Sequence, residues 1–380
     1  MAPVTARPSE QARRSQRLAA AGFGLAALAA VAVLLVLGLQ RSGPANEIVT
    51  PRSAMRAPDR PVATRPTMRT PPLFAPTSFW NTRLSATEPL DPSSATLIQS
   101  LAAEAQREMR TRIGPWIATT NSSTPLYRVG PDQPRVRVQL DAGGTPGEAS
   151  LQKAFASVPI PPDARPAPGR DRHMTVWQPS TDRLWEFWET RHAADGWHAS
   201  WGGAIRRVSE SPGYYTASAW PGASRNWGAT ATSLPVIGGT MTIEQLEAGS
   251  IQHALALALP APRAGTFAWP AQRTDGTGDA TALPEGARLR LDPQVDVPSL
   301  GLPRAAEMIA LAAQRYGMVV RDQTHKGISL FAEDPGRQQP NPYDRLFADQ
   351  TPAQLLSKFP WDLLQVLRMH LCTTAPCRAG

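Results

Sequence analysis

The chain has 380 residues with 42% hydrophobic and 7% aromatic side chains, enough to build a real core and too apolar for a disordered protein. Ten arginines against three acids give residues 1–75 a net charge of +7, whereas the 29 bases and 28 acids of the remainder give +1. The body therefore lacks the basic excess that a nucleic-acid groove needs, and no nucleic-acid partner is expected.

In chain order, residues 1–17 form a basic leader that ends on Arg13, Arg14 and Arg17. Leu18–Leu39 then runs 22 residues without a charge. As a helix it would reach about 33 Å, enough for a hydrocarbon core of roughly 30 Å. Arginines precede it and Arg41 alone follows closely, which places the N-terminus in the cytoplasm and all that follows outside. The rival is a cleaved signal peptide, whose apolar stretch should run about 7–15 residues and end in a small-residue site. The stretch is longer than that, and "LGLQRSG" is a poor cleavage site, so residues 18–39 read as a single-pass signal anchor. The expected location is the cell membrane, with the C-terminal domain extracellular. Residues 40–76 are rich in proline, which favours extended backbone, and read as a stiff linker.

Residues 77–345 read as one β-rich domain. "SSATLIQSLAAEAQREMRTR" is a helix that Ser93 or Ser94 can cap, and "YRVGPDQPRVRVQLD" alternates like a strand. "DRHMTVWQPSTDRLWEFWETRHAADGWHASWGG" holds five of the eleven tryptophans. It reads as a meander of three strands, 172–178, 184–192 and 197–205, with an Asp195-Gly196 turn before the last. Further strands are expected at 251–259, 287–292, 318–322 and 328–333, the last two joined as a hairpin by "QTHKG". "PRAAEMIALAAQRYG" is a helix opened by Pro303 and closed by Gly317. Residues 346–380 read as a helical tail. Many short strands with few helices point to a mainly β fold, an antiparallel sandwich or jelly roll with peripheral helices behind a single N-terminal transmembrane helix.

The chain carries no nucleophile elbow, Walker loop, zinc-protease motif or dinucleotide fingerprint. No cofactor and no metal are expected, since His192 and His198 flank the Asp195-Gly196 turn without an evident third ligand. Cys372 and Cys377 lie at the extreme C-terminus and read either as a disulfide closing a small ring outside the cell or as two thiols on a frayed tail.

Alternation divides the central strand of the meander: Glu186 and Trp188 share one face, Trp185 and Glu189 the other. Aromatic residues on both faces read as core or as cleft wall, with Trp185 and Trp188 the candidate stacking platforms. If Trp177 pairs with Trp185, His173 stands opposite Glu189, a pair able to do acid–base chemistry or simply to close a strand edge. A one-residue slip would break that pairing. His253 falls on an apolar strand face beside Ile251, Leu255 and Leu257, where it reads as a satisfied core histidine or as a general base in a cleft floor. In "PAQRTDGTGD", Arg273 reads as a clamp for a substrate carboxylate or as the loop partner of Asp275.

"DRHMTVWQPSTDRLWEFW", "GSIQHALALALP", "PAQRTDG", "EGARLRLDP" and "QRYGMVVRD" together resemble a family of exported or membrane-anchored proteins of high-GC, actinobacterial-type bacteria for which no activity is established. The likeness spans about residues 76–335. It implies one extracellular domain with polar loops between strands and carries no catalytic roles. The 36 arginines against three lysines fit a high-GC source.

These readings lead to an extracellular domain that binds or cleaves a glycan. As an enzyme it would be a polysaccharide hydrolase or lyase with His173, Glu186 or Glu189, His253 and Asp275 as its titratable groups. The alternatives are a non-catalytic module that binds glycan or protein, and a structural envelope protein with wholly buried tryptophans. Convergence of His253, Arg273 and a meander carboxylate in one cleft separates the first from the others.

Overall fold

The computed structural model describes residues 72–141, 143–145 and 147–379. The expected leader, the expected anchor at 18–39 and nearly all of the expected linker lie outside them. Among the described residues no helix is long and apolar enough to cross a membrane.

The strands are β1 (Trp116–Ala118), β2 (Leu126–Arg128), β3 (Val138–Leu140), β4 (Met174–Gln178), β5 (Arg183–Trp188), β6 (Arg191–Ala193), β7 (Gly196–Ala199) and β8 (Trp201–Arg206). After them come β9 (Leu255–Leu259), β10 (Phe267–Ala268), β11 (Arg288–Leu291), β12 (Met318–Gln323), β13 (Ser329–Phe331), β14 (Leu364–Val366) and β15 (Leu371–Cys372). The helices are α1 (Ser94–Thr111), α2 (Glu148–Ala154), α3 (Ile243–Ala248), α4 (Arg304–Arg315), α5 (Pro342–Leu346) and α6 (Pro352–Leu355). The fold is mostly sheet with few helices.

The largest sheet has six strands in the order β1-β13-β9-β12-β11-β14. Its centre, β9, reads "LALAL" and is buried on both faces. Leu255, Leu257 and Leu259 face a core built with α1 and α4, whereas Ala256 and Ala258 face a second core that holds Trp177, Trp185 and Phe187. Large side chains on the helix side and small ones on the other let a bulky aromatic layer approach the sheet closely. That layer is the four-stranded sheet β2-β4-β5-β8 together with a three-stranded sheet β3-β7-β6.

The expectation of antiparallel sheets is corrected here. β1 runs parallel to β13, β9 to β12, β2 to β4 and β3 to β7, so every sheet of more than two strands is mixed. "QTHKG" does not close a hairpin, because β9 inserts between β12 and β13. The tail is more than helical: β14 pairs with β11 at an edge of the main sheet, and β15 pairs with β10.

The meander forms, with two breaks. Its second strand ends at Trp188 because Glu189 takes a left-handed conformation (φ 51°), and the chain re-enters a different sheet as β6. The third strand is likewise split into β7 and β8. One long hairpin thus contributes to two sheets, and the cleft described below opens at its kink. α1 starts at Ser94 with Ser93 at the N-cap, but Ser93 makes no side-chain cap bond; the Ser94 hydroxyl instead accepts from Val366 N–H. Gly203 on β8 leaves room for Tyr215, whose hydroxyl would lie 2.1 Å from an added Cβ.

Candidate functional site

A cleft of about 730 Å³, within the usual range of ligand sites, opens between the main sheet and the kinked hairpin. Trp116, Trp188 and Trp201 line it, together with His173, Glu189, Arg273, Asp275, Asp322 and Lys326. Trp116 and Trp188 are partly exposed there, and Lys326 Nζ sits 5.1 Å from the centre of the Trp116 ring. Trp188 Nε1 donates to Asp171 at 3.4 Å.

One wall of the cleft is an irregular segment, residues 228–231. This segment and its continuation to Val236 carry little regular structure, and ionisable side chains satisfy their backbone. Glu186 accepts from Ala229 N–H and Val236 N–H, each at 2.8 Å. His173 Nε2 pairs with Ala229 O at 2.9 Å. Arg273 donates to Thr230 O at 2.8 Å, and Asp322 accepts from Ala231 N–H at 3.4 Å. Arg321 donates to Val236 O and, at 2.8 Å, to Gly238 O, and its guanidinium lies 4.0 Å over the Phe331 ring. Buried backbone polar groups must be paired, and here ionisable side chains do the pairing.

A bulge sets the position of Asp322. β12 pairs with β9 in regular register from Met318 to Val320, then slips so that Asp322 stands beside Ala258. Strict alternation would send Asp322 with Val320 to the helix side. The extra residue, Arg321, turns it to the Ala258 side, which is the side of the cleft. There one oxygen each of Asp275, Glu285 and Asp322 lie within 4.8 Å of one another. Asp275 is exposed, Asp322 is half-buried, and Glu285 is fully buried beneath them.

Burial pushes the Glu285 carboxyl up to about 9, with the neighbouring Asp322 adding to the shift. Burial also pushes Asp322 up to about 7 against the pull of Arg321, and raises Asp275. His173 is pushed down to about 4 by burial, so it is a neutral imidazole that donates from Nε2, and its buried Nδ1 has no hydrogen-bond partner.

The structure brings together five of the residues singled out from sequence: His173, Trp188, Glu189, Arg273 and Asp275 all line this cleft. It places three elsewhere. Trp185 is core, 1% exposed, with its indole N–H on Ala154 O. Glu186 is fully buried, and both its oxygens are spent on backbone amides. Burial raises it to about 7, opposed by those two bonds.

His253 lines a separate small cavity with Trp80 and Gln245. It lies before β9 rather than on a strand face, and its two ring nitrogens face Ala254 O and Gln245 Oε1. The expected meeting of His253 with Arg273 and a meander carboxylate therefore does not occur. The His173–Glu189 pairing is corrected too: Trp177 pairs with Leu184 and Val176 with Trp185, a slip of one residue.

His192 and His198 do not meet over an ion. His192 stacks on Trp197, and His198 bonds Asp141 at 2.9 Å and Asp195 at 3.1 Å. Cys372 and Cys377 form a disulfide. The Cys377 backbone exchanges two hydrogen bonds with the Gln272 side chain, which anchors the loop carrying Arg273 and Asp275.

Trp116, Glu285 and Asp322 were not singled out from sequence. For Asp322 the available signal was an acid ending a buried strand, "MVVRD"; for Glu285 it was an acid ahead of Gly286 and an apolar strand. In comparison with known proteins, no family model, no curated protein and no solved structure matches the chain.

Proposed function

We propose that the protein is a membrane-tethered, extracellular glycan-binding domain and that the cleft of Trp116 and Trp188 is its binding site. The observation that carries the reading is the pairing of two partly exposed indole faces with carboxylate, guanidinium and ammonium groups in one open cleft. Indole faces stack on sugar rings, and charged fork-like groups bond hydroxyls and carboxylates. The uncharged stretch Leu18–Leu39 supports the tether, and the disulfide supports an oxidising exterior. Membership of the exported high-GC family is part of the same proposal.

Cleavage is a second reading. It is favoured by the approach of Asp275 and Asp322, whose closest oxygens lie within 4.8 Å, near the roughly 5–5.5 Å separation of the carboxyl pair in retaining glycosidases.

Incubating the full-length protein in detergent with a panel of neutral and uronate polysaccharides tests both readings. The proposal expects saturable binding to at least one member. New reducing ends would add cleavage, and no binding to any member would overturn the proposal.

A further inference from the structure

We propose that Asp275, Glu285 and Asp322 form a calcium site at the floor of the cleft. The ligand set is all oxygen, which suits a hard cation rather than zinc or copper. Ca²⁺ holds oxygens at about 2.3–2.6 Å, so two ligands across it stand up to about 5.2 Å apart. One oxygen from each of the three carboxylates lies within 4.8 Å of the other two, so a single ion at their centre lies within about 2.8 Å of all three, and an inward shift of a few tenths of an ångström brings them to calcium contact.

A second observation concerns Glu285 itself. It is 0% exposed; its Oε2 accepts Asp275 N–H at 3.2 Å, and its Oε1 is buried with no hydrogen-bond partner. A buried carboxylate oxygen without a donor is costly, and a cation beside it removes the cost. The surrounding charge fits. Arg273 faces all three acids and Arg321 lies beside Asp322; with Glu285 ionised by a bound cation and Asp171 counted, four carboxylates stand against two guanidinium groups.

Three protein residues leave several of the usual six to eight coordination positions to water and to the cleft. Neighbouring hydroxyls of a sugar stacked on Trp188 would fill them. This last step rests on the glycan reading, whereas the cation site does not.

The test is calcium titration of the full-length protein in detergent after treatment with EDTA, followed by equilibrium dialysis and by thermal unfolding. One ion per chain is expected, with the roughly 0.1–1 mM affinity of extracellular calcium modules. Glu285→Gln and Asp322→Asn should each weaken it about tenfold or more while unfolding no lower than the natural protein in EDTA. If either variant fails to fold, Asp275→Asn at the exposed mouth replaces it.

Absence of saturable binding at about 10 mM calcium overturns the site, as does equal binding by the variants. Magnesium binding as tightly as calcium overturns the choice of ion. Reducing-end release that persists in EDTA would assign these carboxylates to acid–base chemistry and overturn the site as well. Glycan binding without calcium binding removes the cation and leaves the function standing; calcium binding without any glycan binding does the reverse.

Discussion

Glu186 and Arg321 grip the same residue from strands of different sheets. Glu186, on β5, accepts the Val236 N–H at 2.8 Å, and Arg321, the bulge residue of β12, donates to the Val236 carbonyl. Both are fully buried. The irregular segment between the sheets is therefore held by an opposite-charge pair acting through backbone, and the cleft wall at Ala229–Ala231 inherits its position from that grip.

Removing one partner should be expensive. Glu186→Ala leaves two buried amides without acceptors and leaves Arg321 with Asp322 but without its second nearby carboxylate. Breaking a buried charged network of this kind costs about 3–5 kcal/mol. Urea unfolding at constant slope checks it; a loss under about 1 kcal/mol would show that Glu186 does not hold the segment.

Two buried groups of this segment should give opposite pH dependences. Glu186 is raised to about 7 from 4.5, so the stability it contributes is present below about pH 4.5 and is lost as pH rises through 7. His173 is lowered to about 4 from 6.5, so its contribution is present above about pH 6.5 and is lost as pH falls through 4. The windows overlap and offset each other in the natural protein. Glu186→Gln should therefore steepen the rise of stability with pH between about 4 and 6.5, and His173→Gln should steepen the fall between about 4.5 and 7. Each slope approaches at most about 1.4 kcal/mol per pH unit. Denaturant midpoints across pH 4–8 read both, and profiles unchanged in the variants would contradict the shifts that burial imposes on these two groups.

The tryptophans should sort by face. Trp185→Ala opens a core cavity and should cost about 3–5 kcal/mol. Trp188→Ala removes a partly exposed ring and should cost much less, yet weaken glycan binding roughly tenfold. Unfolding midpoints and binding curves of the two variants check this; equal stability losses would undo the assignment of faces.

Much of this fold was legible. α1 and α4 announce themselves by apolar spacing, and α4 also by Pro303 and Gly317. The meander shows in its alternation and in the Asp195-Gly196 turn. The register was not legible, because "HMTVWQ" and "RLWEFW" are apolar on both faces and a slip of one residue exposes nothing. The Glu189 kink was hidden for a different reason: a glutamate gives no local sign of a left-handed conformation, unlike a glycine.

In the candidate site, His173, Trp188, Arg273 and Asp275 were readable as polar or aromatic groups in loops and at strand ends. His253 misled because its apolar neighbours suggested a strand that begins only at Leu255. Asp322 was invisible because alternation alone sends it to the wrong side, and the bulge that corrects this depends on pairing with β9. The order of the main sheet is likewise a matter of long-range pairing, in which β9 separates two strands that are consecutive in the chain.

The disulfide should matter to the site as well as to stability. Closing so short a ring contributes about 2 kcal/mol by the chain-entropy estimate, or about 3 °C in the unfolding midpoint of a domain this size. Because Cys377 anchors Gln272 next to Arg273, reduction with dithiothreitol should also weaken ligand binding. Thermal unfolding and binding with and without reductant check both; an unchanged midpoint would mean that the ring is not closed in solution.

The most direct measurement is equilibrium binding of the polysaccharide panel by the full-length protein and its Trp188→Ala variant, side by side. The expected result is saturable binding by the natural protein and roughly tenfold weaker binding by a variant whose unfolding midpoint barely moves. Binding of equal strength in both, or no binding by the natural protein, would contradict it.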